Sequence, residues 1–277
     1  MKALIFLFLI LPTIIFAQNI RIMSYNIRYD NPSDGPNSWS FRKHELIEQI
    51  ERIHPSIFGI QEGLYHQTEY IDSCLQKYTY TGVGREDGLI KGEFAAIFYD
   101  STKFKLVSSD TFWLSETPKS PSVGWDAALE RICTYALFEN KVSGNQIWVF
   151  NLHLDHIGMK SQKNSVNLIL KTVNDFAIAN TAIVITGDFN CVPKSTPIKI
   201  MSKNFDDSFK TAKTVKTKCK GTFNNFDKNL IPESRIDYVF VKNAKMTKYE
   251  HKNENRLDGY FYSDHLPVVV DILIPEN

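Results

Sequence analysis

The sequence predicts a single-domain α/β protein in which buried strands alternate with helices that cover them. The strongest strand signal is the run 183–186, four consecutive β-branched residues that stand directly before Gly187. The stretch from Gln162 to Ala179 repeats apolar residues at helical spacing, which predicts a helix packed against a sheet. The sequence has no Pro/Ser linker, repeat or low-complexity block that would divide its 277 residues. We therefore expect one domain over residues 18–277.

Residues 1–17 have the pattern of a secretory signal peptide. Lys2 is followed by an apolar run over 3–11, and Ala17 is a small residue before a plausible cleavage site. The apolar run is too short to span a bilayer. We expect export to the periplasm or the extracellular space, with no stable membrane insertion after the signal is cleaved. We also expect the mature protein to be a monomer.

Composition argues against two kinds of function. Without residues 1–17, which contain Lys2, the formal net charge of +1 becomes zero, so the molecule as a whole is not attracted to a polyanion. The lysine-rich stretch 210–220 contains no aromatic residues, and we expect it to be a solvated loop. The four cysteines are widely spaced and form no CxxC pair, which argues against a cysteine metal site and predicts free thiols.

The N-terminal elements contain two candidate site residues. A strand over 20–25 ends at Asn26, which is either a turn residue or a functional carboxamide. The loop 30–39 contains Trp39, which we interpret as a wall of the substrate site or, equally, as a half-buried anchor. Ser40 is the expected N-cap of the next helix, which ends at a His-Pro pair.

A short buried strand over 55–60 is followed at once by Gln61 and Glu62. A carboxylate in that place is unfavourable unless it is paired or bound to a metal, so Glu62 is a candidate metal ligand. The alternative is a charge that complements the N-terminus of the helix predicted over 64–75. Further strands are predicted over 79–84, 94–99, 104–113, 132–138 and 147–152.

Three residues beside the middle strands are candidate substrate contacts. Glu93 stands where the second of these strands begins, although a surface carboxylate is the default interpretation. Trp125 lies in the polar loop 115–126. Arg131 directly precedes a strand, where a guanidinium either clamps a phosphate oxygen or pairs with an acid such as Glu130.

The strand 147–152 leads into two histidines and an aspartate. Alternation places His153 and Asp155 on the same face as Asn151, and His156 follows them. A lone histidine is more often structural, but the density of polar residues here brings the functional interpretation level with the structural one.

Asp188 and Asn190 follow the run 183–186, and the period of two places both on the same side of the strand end. A carboxylate and a carboxamide at that place suit the binding of a water or a phosphate oxygen near a metal. Taken alone, the pair fits a strand followed by an Asx-turn better than a functional site, and only the neighbouring motifs reverse that preference.

Asp237 lies inside the otherwise apolar strand 235–241, and a buried carboxylate needs a partner. The triplet Ser263-Asp264-His265, just before the last strand at 268–273, supplies one. An aspartate bound to one histidine nitrogen fixes the tautomer and leaves the other nitrogen free as a base.

Taken together and in this order, the polar motifs resemble those of the endonuclease/exonuclease/phosphatase superfamily. The motifs are Asn26, Gln61–Glu62, Asn151–Leu152–His153, Gly187–Asp188–Phe189–Asn190, Arg235–Ile236–Asp237–Tyr238 and Ser263–Asp264–His265. The resemblance extends from about Ile20 to Leu273. It implies a DNase I-like fold, a four-layer α/β/β/α sandwich of two mixed β-sheets flanked by helices, with a phosphoesterase site at one end.

The resemblance also implies roles for individual residues around a divalent metal. Glu62 would bind Mg²⁺ or Mn²⁺, with Asn26 and Asp264 nearby. Asp188 and Asn190 would position the attacking water and a phosphate oxygen. These are oxygen ligands, which suit a hard cation.

The histidines have implied roles as well. His265, oriented by Asp237, would act as the general base, or as a charge stabiliser if the metal alone activates water. His153 would hydrogen-bond the phosphoryl group. Glu93 resembles the acid that pairs with this histidine in the nuclease branch, and Arg131 resembles a phosphate-contacting arginine there.

Asp155, His156 and the loop that contains Trp125 lie outside the superfamily-wide pattern. They resemble a bacterial exported branch that is related to the deadenylase-like members, and we expect them to shape the substrate pocket.

We therefore predict an exported metal-dependent phosphoesterase of the nuclease or phosphatase type. The substrate stays open among nucleic acid, nucleotide, sugar phosphate and lipid headgroup, and the balanced charge favours a small or exposed phosphoester. The alternative is a non-catalytic module that binds a phospho-ligand or a glycan on the same fold. A two-carboxylate glycosidase also uses acids at strand ends, but it leaves the His153 and Asp237–His265 motifs without a role.

Overall fold

The computed structural model describes residues 19–176 and 180–274. The predicted signal peptide at 1–17 lies outside these residues, and so do the last residues of the helix predicted to end at 179. Cleavage and export therefore stay predictions.

Thirteen strands, counted over the described residues, form two β-sheets. They are β1 Asn19–Asn26, β2 Ile57–Gln61, β3 Tyr78–Thr81, β4 Ile97–Asp100, β5 Phe104–Trp113, β6 Ile132–Asn140, β7 Gln146–His153, β8 Ala182–Asp188, β9 Asp206–Asp207, β10 Thr214–Lys216, β11 Asp237–Lys242, β12 Lys245–His251 and β13 Val268–Leu273. The seven-stranded sheet has the order β10-β12-β13-β1-β2-β4-β3, and the six-stranded sheet has the order β5-β6-β7-β8-β11-β9. Both sheets mix parallel and antiparallel neighbours.

Helices flank the two sheets. They are α1 Trp39–Ile53, α2 Tyr65–Cys74, α3 Met159–Phe176, α4 Thr196–Asn204 and α5 Ser208–Thr211, with a 3-10 helix at Pro32–Asn37. The amphipathic stripe of α1 is buried at Leu46 and Ile50, and that of α3 at Val166 and Ile169. Each helix therefore covers one face of a sheet and leaves its polar side to the solvent.

Apolar residues fill three layers between the elements. The central layer joins the two sheets, where Ile22 and Val270 of the first sheet pack with Val149 and Val184 of the second. A second layer lies under α1 and α2, and a third lies under α3 and α4. Three apolar layers separate four layers of backbone, so the predicted four-layer α/β/β/α sandwich is confirmed.

Strand direction brings distant residues to one edge of the sandwich. β1 runs parallel to β2, and β7 runs parallel to β8, so each pair ends on the same side. β11 begins at Asp237, directly opposite Asp188 at the end of β8. β13 begins opposite Ser24 of β1, so His265, three residues before β13, reaches the same edge. This topology determines where the polar motifs meet.

Some local elements differ from those predicted. The loop predicted at 30–39 contains the 3-10 helix, which starts at Pro32 because Asn31 accepts a hydrogen bond from the Ser33 amide. Helix α1 has Ser38 as its N-cap residue and not Ser40. The lysine-rich stretch 210–220 includes the short edge strand β10, which gains its backbone partners only from β12.

The four cysteines are free thiols, as we expected. Burial raises the pKa of the Cys133 and Cys191 thiols above the usual range, so neither is a reactive thiolate at neutral pH. Among the described residues, no helix has both the length and the hydrophobicity that a membrane crossing requires.

Candidate active site

Polar side chains from several strand ends meet at one edge of the sandwich. One ligand atom from each of Glu62, Asp188 and His265 can be chosen so that all three lie within 4.8 Å of one another. Asn26 links two of them, because its Nδ2 donates to Glu62 Oε1 at 2.9 Å and to Asp188 Oδ2 at 3.0 Å. Residues far apart in the sequence thus form one cluster of metal-ligating atoms.

The backbone holds Glu62 in an unusual conformation. Its φ of 64° is in the left-handed region, which is unfavourable for a residue with a side chain by roughly 1–2 kcal/mol. The strained turn at the end of β2 aims the carboxylate at the cluster, where Oε2 also accepts a hydrogen bond from the Tyr29 amide at 3.2 Å. These contacts favour the metal-ligand interpretation of Glu62 over a charge that complements helix α2.

Asn190 connects Asp188 to His153. Asp188 Oδ1 accepts a hydrogen bond from the Asn190 amide at 2.8 Å, in the Asx-turn that the sequence allowed. The Asn190 carboxamide lies with Nδ2 3.1 Å from His153 Nε2 and donates to the Leu154 carbonyl at 3.0 Å. Because Asn190 Nδ2 is a donor, His153 Nε2 is the acceptor and Nδ1 carries the proton.

His153 is a neutral imidazole. Burial lowers its pKa to about 3, and the Arg131 charge contributes to the same shift. Its Nδ1 lies 3.5 Å from Glu93 Oε2, and Glu93 accepts a hydrogen bond from Arg85 Nη1 at 2.6 Å. Glu93 therefore lies beside His153, as the resemblance implied, but among the described residues His153 Nδ1 has no hydrogen-bond partner. The ring can donate to a phosphoryl oxygen from Nε2 only after the Asn190 contact rearranges.

Asp237 and His265 form a buried pair. His265 Nδ1 lies 2.8 Å from Asp237 Oδ2, which leaves Nε2 facing Asp188 Oδ2 at 3.7 Å. Burial disfavours the imidazolium, but the Asp237 and Asp188 carboxylates outweigh burial and raise the pKa of His265 well above its ordinary value. The aspartate thus fixes the tautomer of His265, as the sequence pattern predicted.

The carboxylates of the cluster crowd one another. Burial raises the pKa of the Asp188 carboxyl, and the Asp237 charge raises it further. Burial also raises the pKa of Asp264 to about 6, although the His265 charge opposes the shift. Buried acids with raised pKa values need positive charge, and a divalent cation with oxygen ligands supplies it. The donor set of Glu62, Asp188 and His265, with Asn26 and Asp264 beside it, fits such an ion.

A comparison with protein-family models assigns this arrangement to a known family. Residues 23–265 match the model described as the endonuclease/exonuclease/phosphatase family. The chain belongs to this family. The match spans the polar motifs from Asn26 to His265, so every residue of the cluster lies within the family region.

Several family relatives cover nearly the whole chain. A family protein from Bacteroides thetaiotaomicron is 35% identical, covers 94% of this chain and 99% of its own, and superposes with a TM-score of 0.89. A mannosyl-6-phosphatase from the same bacterium is 37% identical over 92% of this chain and 100% of its own, with a TM-score of 0.88. An uncharacterized protein, L388, of Acanthamoeba polyphaga mimivirus is 30% identical over 254 residues, which are 84% of this chain and 91% of its own.

Arg131 is held rigidly next to the family's polar cluster. Its guanidinium is buried, with Nε 3.3 Å from Asp155 Oδ2 and Nη2 3.0 Å from His156 Nδ1. In the described part of the chain, Nη1 has no hydrogen-bond partner. Arg131 and His153 line the same small void.

The structure shows how Asp155 is held. Its carboxylate is fully buried and accepts hydrogen bonds from the amides of Ala128, Ile157 and Gly158 as well as from Arg131. A carboxylate with these partners holds the loop and the arginine in place, and its direct contact with substrate stays a prediction. His156 is about half exposed, with a side-chain exposure of 48%, so its predicted contact with substrate stays a prediction.

The structure also corrects the role expected of Trp39. As the first residue of α1 it is buried at 4% exposure, packs edge-on against Tyr70 and lies under the Arg42 guanidinium. It is therefore the anchor that the sequence allowed as an alternative and not a wall of the substrate site. Trp125 is half-buried in the loop between β5 and β6, with its amide bonded to Glu116, and its predicted contact with substrate remains untested by these contacts.

Arg28 is a site residue that the sequence pattern did not single out. Its Nη1 lies 3.9 Å from Glu62 Oε2 and 3.8 Å from Asp264 Oδ2, while its other nitrogens bind Asp34. The available signal was its position two residues after Asn26, which the period of two places on the same side of the chain. The turn that brings it there depends on a φ of 57° at Arg28 itself, and the sequence does not reveal that conformation.

Proposed function

We propose that the protein is a divalent-metal-dependent phosphoesterase that hydrolyses the phosphate monoester of an exposed sugar phosphate. The convergence of Asn26, Glu62, Asp188 and His265 at one edge of the sandwich carries the proposal of phosphoester hydrolysis. The substrate class is supported by the 37% identity, over almost the full length, to a protein described as a mannosyl-6-phosphatase. The balanced net charge of the mature chain also favours a small phosphoester over a polynucleotide.

Glu62 is the proposed principal ligand of Mg²⁺ or Mn²⁺, with Asn26 and Asp264 beside it. When bound, such a cation would supply positive charge for the phosphoryl oxygens and would make a water molecule easier to deprotonate. Phosphoryl transfer needs little covalent chemistry from the protein, so positioning and electrostatic stabilisation are sufficient. No protein nucleophile is required for this reaction.

The remaining residues of the cluster position the reactants. Asp188 and Asn190 hold the attacking water and a phosphate oxygen. Asp237 occupies His265 Nδ1, so Nε2 faces Asp188 and is the nitrogen that would exchange a proton with that water. Arg131 and His153, which line one small void, are the proposed contacts of the nonbridging oxygens, His153 after its contact with Asn190 has rearranged. Substrate contacts by His156 and Trp125 are part of this proposal.

Hydrolysis assays on the purified chain test the proposal. Mannose 6-phosphate, p-nitrophenyl phosphate, bis(p-nitrophenyl) phosphate, RNA and DNA are compared in Mg²⁺, in Mn²⁺ and in EDTA. We expect the monoesters to be hydrolysed fastest, EDTA to abolish turnover, and Asp188→Asn to abolish it while the fold is retained. A matched control is Asp271→Asn, which alters a similarly buried acid that pairs with Arg21 at the far end of β1.

Each alternative has its own outcome in these assays. Faster cleavage of RNA or DNA than of any monoester would replace the phosphatase with a nuclease. Binding of mannose 6-phosphate without turnover in either metal would support the non-catalytic module. Full activity in EDTA would exclude the metal-dependent mechanism. Export stays a prediction from residues 1–17, and detection of the cleaved chain outside the cytoplasm would test it.

A further inference from the structure

Arg42 is a buried arginine that uses all its bonds on backbone carbonyl groups. It lies on α1 and is 0% exposed. Its Nε donates to Asn37 O at 2.9 Å, and its Nη1 donates to Ile27 O at 2.5 Å and to Tyr262 O at 3.2 Å. Its Nη2 donates to Arg28 O at 2.6 Å. Among the described residues it forms no salt bridge, so its position is set by these carbonyl oxygens.

Three of the four carbonyls that Arg42 binds belong to two of the segments that build the metal cluster. Ile27 and Arg28 directly follow Asn26, and Tyr262 stands just before the triplet 263–265. The two segments come from opposite ends of the chain. A second bond joins them, because Ser263 Oγ donates to Asn26 O at 2.7 Å. We call this set, Arg42 with its carbonyl partners and the Ser263–Asn26 bond, the Arg42 clasp.

A guanidinium without a carboxylate partner is an unfavourable group to bury. Burial lowers the pKa of Arg42 to about 10, so the side chain still carries its charge at neutral pH. The rings of Trp39 and Phe226 lie 5.1 Å and 5.8 Å from the guanidinium carbon and contribute cation–π stabilisation. Only a planar group with several fixed donors can bind carbonyls from three segments at once, which a lysine cannot reproduce.

We propose that Arg42 is a positioning residue for the metal site. Its side chain sets the distance between the Asn26 segment and the Asp264–His265 segment and so determines the affinity for the divalent cation. The inference rests on the proposed function, because it assumes that a cation binds at this cluster. Arg42 touches neither the cation ligands nor the substrate with its side chain. It acts through the backbone that carries Asn26 and His265.

The charge of Arg42 and its backbone bonds can be separated by substitution. A neutral replacement would remove this charge as well as the backbone bonds. A lysine would keep the charge but lose most of the bonds, so the two replacements separate geometry from electrostatics.

The test compares Arg42→Lys and Arg42→Met with the control Arg21→Lys. Arg21 lies at the opposite end of β1, where its guanidinium binds Asp271 and the Ile53 carbonyl. Mn²⁺ affinity is measured by titration calorimetry on the full chain without substrate, alongside thermal unfolding and the values of kcat and KM. We expect Arg42→Lys to weaken Mn²⁺ binding roughly 10- to 100-fold, the range seen when groups that orient metal ligands are removed.

We expect Arg42→Met to weaken binding further, whereas Arg21→Lys lowers the unfolding temperature and leaves the Mn²⁺ affinity within about twofold. A merely structural Arg42 would show the opposite pattern, a lower unfolding temperature with unchanged Mn²⁺ affinity, and that result overturns the proposal. If Arg42→Lys does not fold, Ser263→Ala removes the other bond of the clasp, and unchanged Mn²⁺ affinity in that variant also overturns it.

The outcomes distinguish this inference from the proposed function. Wild-type protein that binds Mn²⁺ but hydrolyses no phosphoester refutes the activity and leaves the clasp to be judged by the affinities. Wild-type protein that binds no Mn²⁺ refutes the metal site and the clasp together. Weakened Mn²⁺ binding in Arg42→Lys, with activity restored at saturating Mn²⁺, supports both.

Discussion

The substitution Asp237→Asn isolates the charge of the buried Asp237–His265 pair. The amide has nearly the shape of the carboxylate, and its oxygen can still accept from His265 Nδ1, which lies 2.8 Å from the present carboxylate oxygen. With the charge centres about 4 Å apart and an effective dielectric constant near 20, the lost attraction is about 4 kcal/mol. The substitution therefore lowers the pKa of His265, because the Asp237 carboxylate is one of the charges that raise it.

The catalytic effect follows from this loss. If the Asp237 charge assists proton transfer at His265 Nε2, its removal lowers kcat by roughly 10²- to 10⁴-fold, the range for general acid–base groups. The assay is kcat for p-nitrophenyl phosphate at saturating Mg²⁺, for Asp237→Asn, for His265→Gln and for the double variant. Because the two residues act as one unit, we expect the double variant to be no slower than His265→Gln by more than about threefold.

Two results would refute this reasoning. An Asp237→Asn variant that keeps more than about a tenth of wild-type kcat would show that the carboxylate charge is not used. Losses that multiply in the double variant would show that the residues act independently. Asp271→Asn is the control for general destabilisation, because Asp271 is also buried but pairs with Arg21 on the first sheet, away from the cluster.

Three further predictions concern metal binding, pH and phosphate binding. We expect Mg²⁺ at about 100 times its dissociation constant to stabilise the folded chain by about 2.7 kcal/mol, which raises the unfolding temperature by roughly 5–10 °C. Glu62→Gln should abolish that rise. Burial lowers the pKa of His251 to about 4, and the Arg235 charge contributes to the same shift. The neutral buried ring therefore contributes its full stability above pH 6.5. That contribution is lost as the pH falls from 6.5 to 4, because the unfolded chain binds the proton first. The loss reaches about 3 kcal/mol. We expect the free energy of unfolding of His251→Gln, measured by denaturant titration, to depend less on pH over that interval. Arg131→Lys removes the fixed guanidinium and weakens inhibition by inorganic phosphate roughly tenfold or more, measured as Ki.

Each of these three predictions would be contradicted by a specific result. An equal Mg²⁺-induced rise in the Glu62→Gln unfolding temperature would remove Glu62 from the metal site. An unchanged pH slope in His251→Gln would mean that the neutral buried ring is not the cause of the slope. An unchanged Ki in Arg131→Lys would show that Arg131 only supports the loop through Asp155.

Arg131 and its neighbours show which features of the site a local sequence pattern can predict. The sequence marked Arg131, Asp155 and His156 as candidate substrate residues, Arg131 through its place just before a strand and all three through the family resemblance. The structure assigns them different tasks, since Asp155 is saturated by backbone amides whereas Arg131 retains an unpaired nitrogen. The positions of these residues in the sequence do not reveal which hydrogen bonds each buried side chain makes in the folded protein.

The sequence by itself determined the strands and the polar residues at their ends, because side-chain periodicity and apolar runs are local properties of the chain. The four-layer fold was predicted only through the resemblance of the ordered motifs to a known superfamily, since periodicity alone does not select one α/β sandwich over another. The sequence also indicated the Asp237–His265 pair, since a carboxylate inside an apolar strand requires a partner. Only the tertiary structure decided that Trp39 is a core anchor, that Arg28 lies beside Glu62 and Asp264, and that Arg42 binds carbonyls from both ends of the chain. Those contacts depend on left-handed turns and on the packing of α1 against two distant segments, and neither leaves a periodic signal in the sequence.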